Sequence, residues 1–392
     1  MRFIRSVQVG GLLSFPPDME TFELSSLNVL IGPNGSGKSN FIEMLELLRA
    51  TPTDFAAAIR NGGGAAEWMW KGSRQSLPAT MEVETDPGDA SGRRLRYRLS
   101  FGAIGPQVNI VEETIDDARD SDGSWSPCYV FLQGRPEILI RVQALDGQRI
   151  EKRSAQSDNR LLDQSVLTRL KDEYFYPELF QLGAMFESIG TFREWTFGRH
   201  GARQPQRADL PAERLLPDSS NLALVLNQIE HKAGPIFNEH LKHFFPRFRR
   251  MTTEVSAGSV QFYLHESGFA APVPAARLSD GTIRFVALLA TLLTPSPPLV
   301  CIEEPELGLH PDAVALLADL LVEASARMQL VVTTHSDALV SALTSQPDAI
   351  VACERPGAGT VLRRLDPERL ASWLEDYRLG DLWRMGELGA NP

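Results

Sequence analysis

Four clusters in this chain carry groups suited to phosphate chemistry. The first is Gly32-Pro33-Asn34-Gly35-Ser36-Gly37-Lys38-Ser39, a full match to G-x-x-x-x-G-K-[ST]. Glycines let such a loop curl until backbone N–H groups converge on a phosphate, and the helix that follows adds its positive dipole end. Lys38 has the reach for β- and γ-phosphates, and the Ser39 hydroxyl can ligate Mg²⁺. The second cluster is Glu303-Glu304, at the end of the apolar run Pro298-Leu299-Val300-Cys301-Ile302. Two adjacent carboxylates at a buried strand end are costly unless a cation or donor is close. In register, Glu303 is the metal-side acid and Glu304 the candidate base for an attacking water. The third is Thr334-His335-Ser336, after the apolar run Gln329-Leu330-Val331-Val332-Thr333, where an imidazole can hydrogen-bond a γ-phosphate. The fourth, Leu278-Ser279-Asp280-Gly281-Thr282, opens a long apolar helix whose start is both an N-cap and an anion site.

These groups need elements to hold them. Leu27, Val29, Leu30 and Ile31 form a strand-length run before the glycine loop, and Phe41, Ile42, Met44, Leu45, Leu47 and Leu48 recur at helical spacing after it. Residues 2–31 read as strands. Between 78 and 150 the segments ATMEVET, RLRYRLSFG, VNIVEETI, PCYVFL and EILIRVQAL predict an antiparallel sheet beside the phosphate loop. Residues 155–245 have helical periodicity, residues 252–273 return to strands, and from 278 to 355 apolar strands alternate with helices as in a parallel sheet. The expected organisation is an α/β P-loop fold in three parts. Residues 1–154 carry the phosphate loop and an antiparallel β lobe, 155–250 a helical subdomain, and 251–392 the remaining motifs.

The totals narrow the class. A chain of 392 residues with 43% hydrophobic and 23% charged residues is globular in composition. A net charge of −11 argues against a generally cationic nucleic-acid binder, though not against a local basic patch. Cys128, Cys301 and Cys353 show neither paired nor metal-ligand spacing, which points to a reducing compartment without a zinc site. No apolar run reaches ~18 residues, so no membrane span is expected. The start, MRFIRSVQVGG, has no signal-type apolar region, and a cytoplasmic location is expected.

Taken together, GPNGSGKSN, LSDGT, IEEPELGLHP and TTHS resemble the ATP-binding-cassette ATPases of the SMC/RecF branch. They are most similar to compact AAA-type, RecF-like and OLD-like "predicted ATPases", and Asn40 after the loop serine is typical of that branch. Weaker matches are FREWTFGR, NLALVLNQI and LGDLWRMGELG, which carry no assigned chemistry. The resemblance implies Mg²⁺-dependent ATP hydrolysis in an ATP-dependent homodimer. Ser279, Asp280 and Gly281 of one copy would close on the phosphates held by residues 32–40 of the other. Glu303 stands where the Walker B acid is commonly Asp, and Gln75 and Gln181 are the candidates for the glutamine-loop metal ligand. No acid cluster follows His335 and no heptad arm is present, so an ATPase head without nuclease domain or coiled coil is expected.

Two basic clusters could neutralise DNA phosphates. One holds Arg193, Arg199, His200, Arg203 and Arg207, and the other Lys242, His243, Arg247, Arg249 and Arg250. An arginine of the 199–207 loop could instead act on ATP phosphates, and Trp195 could pack or stack. Two functions follow: an ATPase acting on DNA in repair, maintenance or defence against foreign DNA, or a nucleotide-gated module that controls a co-encoded effector or nuclease.

Overall fold

Every residue of Leu27–Ile31 (β3) is buried, which requires cover on both faces of the strand. A computed structural model places it inside a six-stranded sheet. In spatial order the sheet comprises Gly190–Phe192 (β10), Leu299–Glu303 (β15), Gln329–Thr333 (β16), β3, Ile350–Glu354 (β17) and Val361–Arg364 (β18). The first five run parallel and β18 is antiparallel to β17. One row of the register reads Phe192, Ile302, Val332, Val29, Ile350. The strands therefore deliver Arg193, Glu303, His335 and the glycine loop to one carboxyl edge, where open α/β sheets bind ligands. The structure describes residues 2–390 except 19, 73–76, 87–92, 119–123, 134–136, 144–148, 156–162, 194, 196–200, 295–296 and 358.

The second sheet has eight antiparallel strands. Its spatial order is Phe22–Glu23 (β2), Ile4–Gly10 (β1), Ala79–Thr85 (β4), Leu95–Ile104 (β5), Gln107–Ala118 (β6), Trp125–Leu132 (β7), Glu137–Gln143 (β8) and Arg149–Ala155 (β9). The β lobe expected from the sequence is thus present. The edge strand β9 extends it; its charged sequence, RIEKRSA, lacks the apolar alternation that betrays a strand and suits an unpaired edge. A third, smaller sheet centres on Ser259–Glu266 (β13), paired with Gln206–Arg207 (β11), Phe248–Ser256 (β12) and Val273–Pro274 (β14).

Helices fill the layers: Lys38–Ala50 (α1), Phe55–Asn61 (α2), Ala65–Trp68 (α3), Val166–Arg169 (α4), Pro177–Glu187 (α5), Leu222–Phe244 (α6), Asp280–Leu293 (α7), Pro311–Ser325 (α8), Asp337–Ala342 (α9), Pro367–Leu370 (α10) and Leu379–Met385 (α11). Strand alternation splits the parallel sheet between two cores. Leu30, Leu299, Cys301, Val331, Val351 and Cys353 face α1 and the antiparallel sheet. Val29, Ile31, Val300, Ile302, Leu330 and Val332 face a layer containing α6, α7, α8 and α11. The helices between 155 and 250 divide between these cores: Leu167, Leu182 and Phe186 join the first, Leu222, Leu226 and Phe237 the second. α6 is kinked at Ala233, two residues before Pro235, whose ring and missing N–H break a helical ladder. Among the described residues, no helix is long and apolar enough to cross a membrane.

Candidate nucleotide site

The phosphate loop joins β3 to α1. Gly37 caps α1 with φ 104 and no side-chain hydrogen bond, which leaves the helix start to an anion. A Cβ at Gly37 would meet Thr360 Oγ1 at 2.1 Å. Thr360, which sequence reading did not single out, donates to the Ser36 carbonyl at 2.8 Å and so holds the loop from the β17–β18 side. Pro33, Asn34, Gly35 and Ser39 are exposed, Asn40 is half-buried, and Gly32, Ser36, Gly37 and Lys38 are buried. Lys38 Nζ donates to the carbonyls of Gly32 at 2.7 Å and Pro33 at 3.1 Å. Burial pulls its pKa down, against the opposing pull of the neighbouring Cys353, Glu304 and Glu303.

Two atoms test the fit of this site to a nucleotide and its metal. Ser36 Oγ and Glu303 Oε1 are buried and have no hydrogen-bond partner among the described residues. Buried polar atoms are costly in that state, and a hydroxyl in the phosphate loop and a carboxylate oxygen at the sheet edge both suit a phosphate–Mg²⁺ group. The other Glu303 oxygen accepts from Arg193 Nε at 3.0 Å.

Glu304 adopts φ 44, a left-handed backbone that a glutamate keeps only when its surroundings enforce it. Its N–H donates to Thr333 O at 3.0 Å. Arg284 of α7 donates to its carbonyl at 3.3 Å. The Glu304 carboxylate lies 3.6 Å from His335 Nε2. His335 has a lowered pKa, first from burial and then from the Lys38 charge. Glu306 ties this corner together, accepting from Thr334 Oγ1 at 2.5 Å and from the His335 N–H at 3.1 Å. Burial raises its pKa, against those hydrogen bonds. Arg284 and Glu306 escaped sequence reading because a lone arginine in a helix and a third acid in a loop carry no spacing signal.

Ser279 caps α7, its Oγ accepting from the Thr282 N–H at 3.1 Å. Asp280 pairs with Arg203, and a Cβ on Gly281 would stand 2.6 Å from the Gly308 carbonyl. The structure thus brings Lys38, Glu303, Glu304 and His335 to one edge, while the hydrogen bonds and close contacts recorded for residues 279–281 go elsewhere within the chain.

The first basic cluster is largely committed to acids. Arg193 binds Glu43, Glu46 and Glu303, Arg203 binds Asp280, and Arg207 binds Asp209. Arg199 and His200 lie outside the described residues. Trp195 packs rather than offering a stacking face: it is buried against Phe192, with ring centroids 5.3 Å apart. In the second cluster Lys242, His243, Arg247, Arg249 and Arg250 are all exposed, the first two on α6 and the last two on β12, which begins earlier than its sequence suggests. Of the glutamine-loop candidates, Gln75 lies outside the described residues, and Gln181 sits on α5 and does not line the cavity around Glu303.

A parallel sheet with a glycine phosphate loop, paired acids and a histidine on one edge defines a P-loop nucleotide-binding fold. The chain belongs to the family described as "AAA domain, putative AbiEii toxin, Type IV TA system", whose model matches residues 27–341. Its fold is that of SMC heads. An SMC head bound to the C-terminal winged-helix domain of ScpA matches at 14% identity and TM-score 0.54, covering 94% of this chain and 99% of that one. An SMC head with an extended coiled coil, bound to the C-terminal domain of ScpA and derived from Pyrococcus furiosus, matches at 13% identity and TM-score 0.52, with 96% and 99% covered. An SMC head with a coiled coil and joint from Pyrococcus yayanosii gives 11% identity and TM-score 0.52, again with 96% and 99% covered. No curated protein matches the chain in the corresponding sequence comparison.

Proposed function

We propose that the chain is a Mg²⁺-dependent ATPase whose two sites close between two copies and which acts on DNA. The observation that carries the hydrolytic part of this reading is the meeting of Glu304 and His335, 3.6 Å apart, on the sheet edge that also holds Lys38 and Glu303. Lys38, bound to backbone carbonyls rather than to a carboxylate, is available to the β- and γ-phosphates of ATP. Ser39 and Glu303 would hold Mg²⁺, which supplies charge neutralisation at the phosphates when bound. Glu304 takes the proton of the attacking water, and neutral His335 hydrogen-bonds the γ-phosphate. Residues 279–281 of the second copy complete the site. They fit this role because their own chain engages them away from its phosphate loop. ATP then favours the closed pair by differential binding, and hydrolysis releases it.

The test is Glu304→Gln, which should lower turnover by roughly 10²–10⁴ and trap an ATP-bound dimer. Size-exclusion with light scattering reads the outcome, and a Glu304→Gln protein that stays monomeric with ATP rules out the composite site. The family description, with its toxin–antitoxin wording, favours a second reading in which ATP gates a protein partner instead of DNA. Normal ATPase without DNA binding selects that reading.

A further inference from the structure

The cavity beside the paired acids, about 640 Å³ in volume, is lined by Glu43, Glu46, Arg193 and Glu303 among others. Arg193 is the first residue after β10, and Phe192 lies opposite Ile302 of β15, so the fold sets Arg193 next to Glu303. Its guanidinium is shared between three carboxylates. Nε reaches Glu303 Oε2 at 3.0 Å, Nη1 reaches Glu46 Oε2 at 2.9 Å, and Nη2 reaches Glu43 Oε1 at 2.8 Å. Glu43 and Glu46 are on α1, the helix that begins at the phosphate loop. One planar fork thus joins the phosphate-loop helix to the strand that carries the metal-side acid. Only Glu303 Oε2 is used; Oε1 remains buried without a hydrogen bond among the described residues.

We infer that Arg193 is a positioning residue for the metal: it fixes the Glu303 carboxylate so that Oε1 is presented to Mg²⁺ or to a water on it. The inference rests on the nucleotide reading above. It also accounts for a glutamate in a place commonly held by aspartate. The longer side chain has an extra rotatable bond, and an N–H bond from an arginine that is itself anchored by Glu43 and Glu46 restrains that freedom. Carboxylate ligands to metals are characteristically held by such partners, and losing one typically weakens metal affinity by roughly 10–100-fold. The opposite role, in which Arg193 occupies the acid and keeps the metal out, predicts tighter metal binding on its removal.

Mn²⁺ as a stand-in for Mg²⁺, titrated by electron paramagnetic resonance into the whole protein loaded with a non-hydrolysable ATP analogue, separates the two. Arg193→Gln should raise the Mn²⁺ dissociation constant by roughly 10–100-fold, with nucleotide affinity in EDTA within about twofold of the parent. Arg193→Lys keeps the charge but not the fork and should fall between. Unchanged or tighter Mn²⁺ binding in Arg193→Gln overturns the inference. If that variant does not fold, unchanged Mn²⁺ binding in both Arg193→Lys and the Glu43→Gln/Glu46→Gln pair overturns it equally. A parent protein that binds no nucleotide overturns the nucleotide reading itself, a result distinct from either.

Discussion

His335 is held below the ordinary histidine range by burial first and the Lys38 charge second, against the pull of Glu304. Its folded pKa lies under its unfolded one. The stability it confers is therefore complete above the unfolded value of 6.5 and is lost as pH falls through the folded value. Equilibrium denaturation at about pH 7.5 and about pH 5 should show the parent losing more stability over that interval than His335→Gln. Equal losses would mean that His335 does not titrate as assigned. The same depressed pKa keeps the imidazole neutral at pH 7, the form suited to a hydrogen bond with phosphate and to a neighbouring Glu304. At this scale the sequence marks Lys38 by its glycine loop and Glu303, Glu304 and His335 by the apolar runs before them, and the structure sets all four on one sheet edge. It is silent where a contact spans the chain: Arg193 and Glu303 are 110 positions apart, and Thr360 and Ser36 are 324 apart. No spacing rule reaches that far.

Two elements act by how closely they pack. The start of α7 lies against the loop after β15 so tightly that a methyl group at position 281 would sit 2.6 Å from the Gly308 carbonyl. Gly281→Ala must push that loop away, at a cost of about 1–3 kcal/mol, and should weaken ATP-dependent self-association, because the loop and residues 279–281 would share the proposed closing surface. Thermal unfolding and light scattering with ATP check both parts. An unchanged melting temperature would show that the loop yields freely. The second element is α11, from LGDLWRMGELG, which has no chemistry of its own. It packs on α9, the helix directly after His335: Leu379 N–H donates to Thr344 Oγ1 at 3.1 Å and Arg384 reaches Asp337 at 3.3 Å. Trp383 is fully buried, with Nε1 donating to Ala390 O at 2.6 Å. Trp383→Ala should cost about 3–5 kcal/mol and speed hydrogen exchange in α9; exchange confined to α11 would separate the two helices. Periodicity makes α1, α7 and α8 legible. It does not reveal α11 as a clamp, since a 7-residue helix gains its meaning from what it touches.

The chain is interwoven at the scale of the whole molecule. β3 lies between β16 and β17, so N-terminal and C-terminal segments share one sheet, and no cut in the sequence separates the two cores. Charge is uneven in the same way. The molecule carries −11 overall, yet Lys242, His243, Arg247, Arg249 and Arg250 gather, exposed, where α6 gives way to β12. Long-range repulsion from the remaining surface works against DNA, so any binding must come from short-range contacts at this patch and must be strongly screened by salt. Duplex DNA affinity should fall linearly on a log–log plot against salt, with a slope of about −0.9 per phosphate contacted. Reversing Arg247, Arg249 and Arg250 to Glu should abolish binding while leaving ATP affinity intact, because the three arginines lie at and before the start of β12 and not on the phosphate loop, β15 or β16. Arg250→Ala alone should flatten the slope by about one contact. Binding that survives the triple reversal would move the DNA surface elsewhere. A parent protein that turns over ATP and shows no DNA shift even at low salt would transfer the output of the ATP cycle to a protein partner.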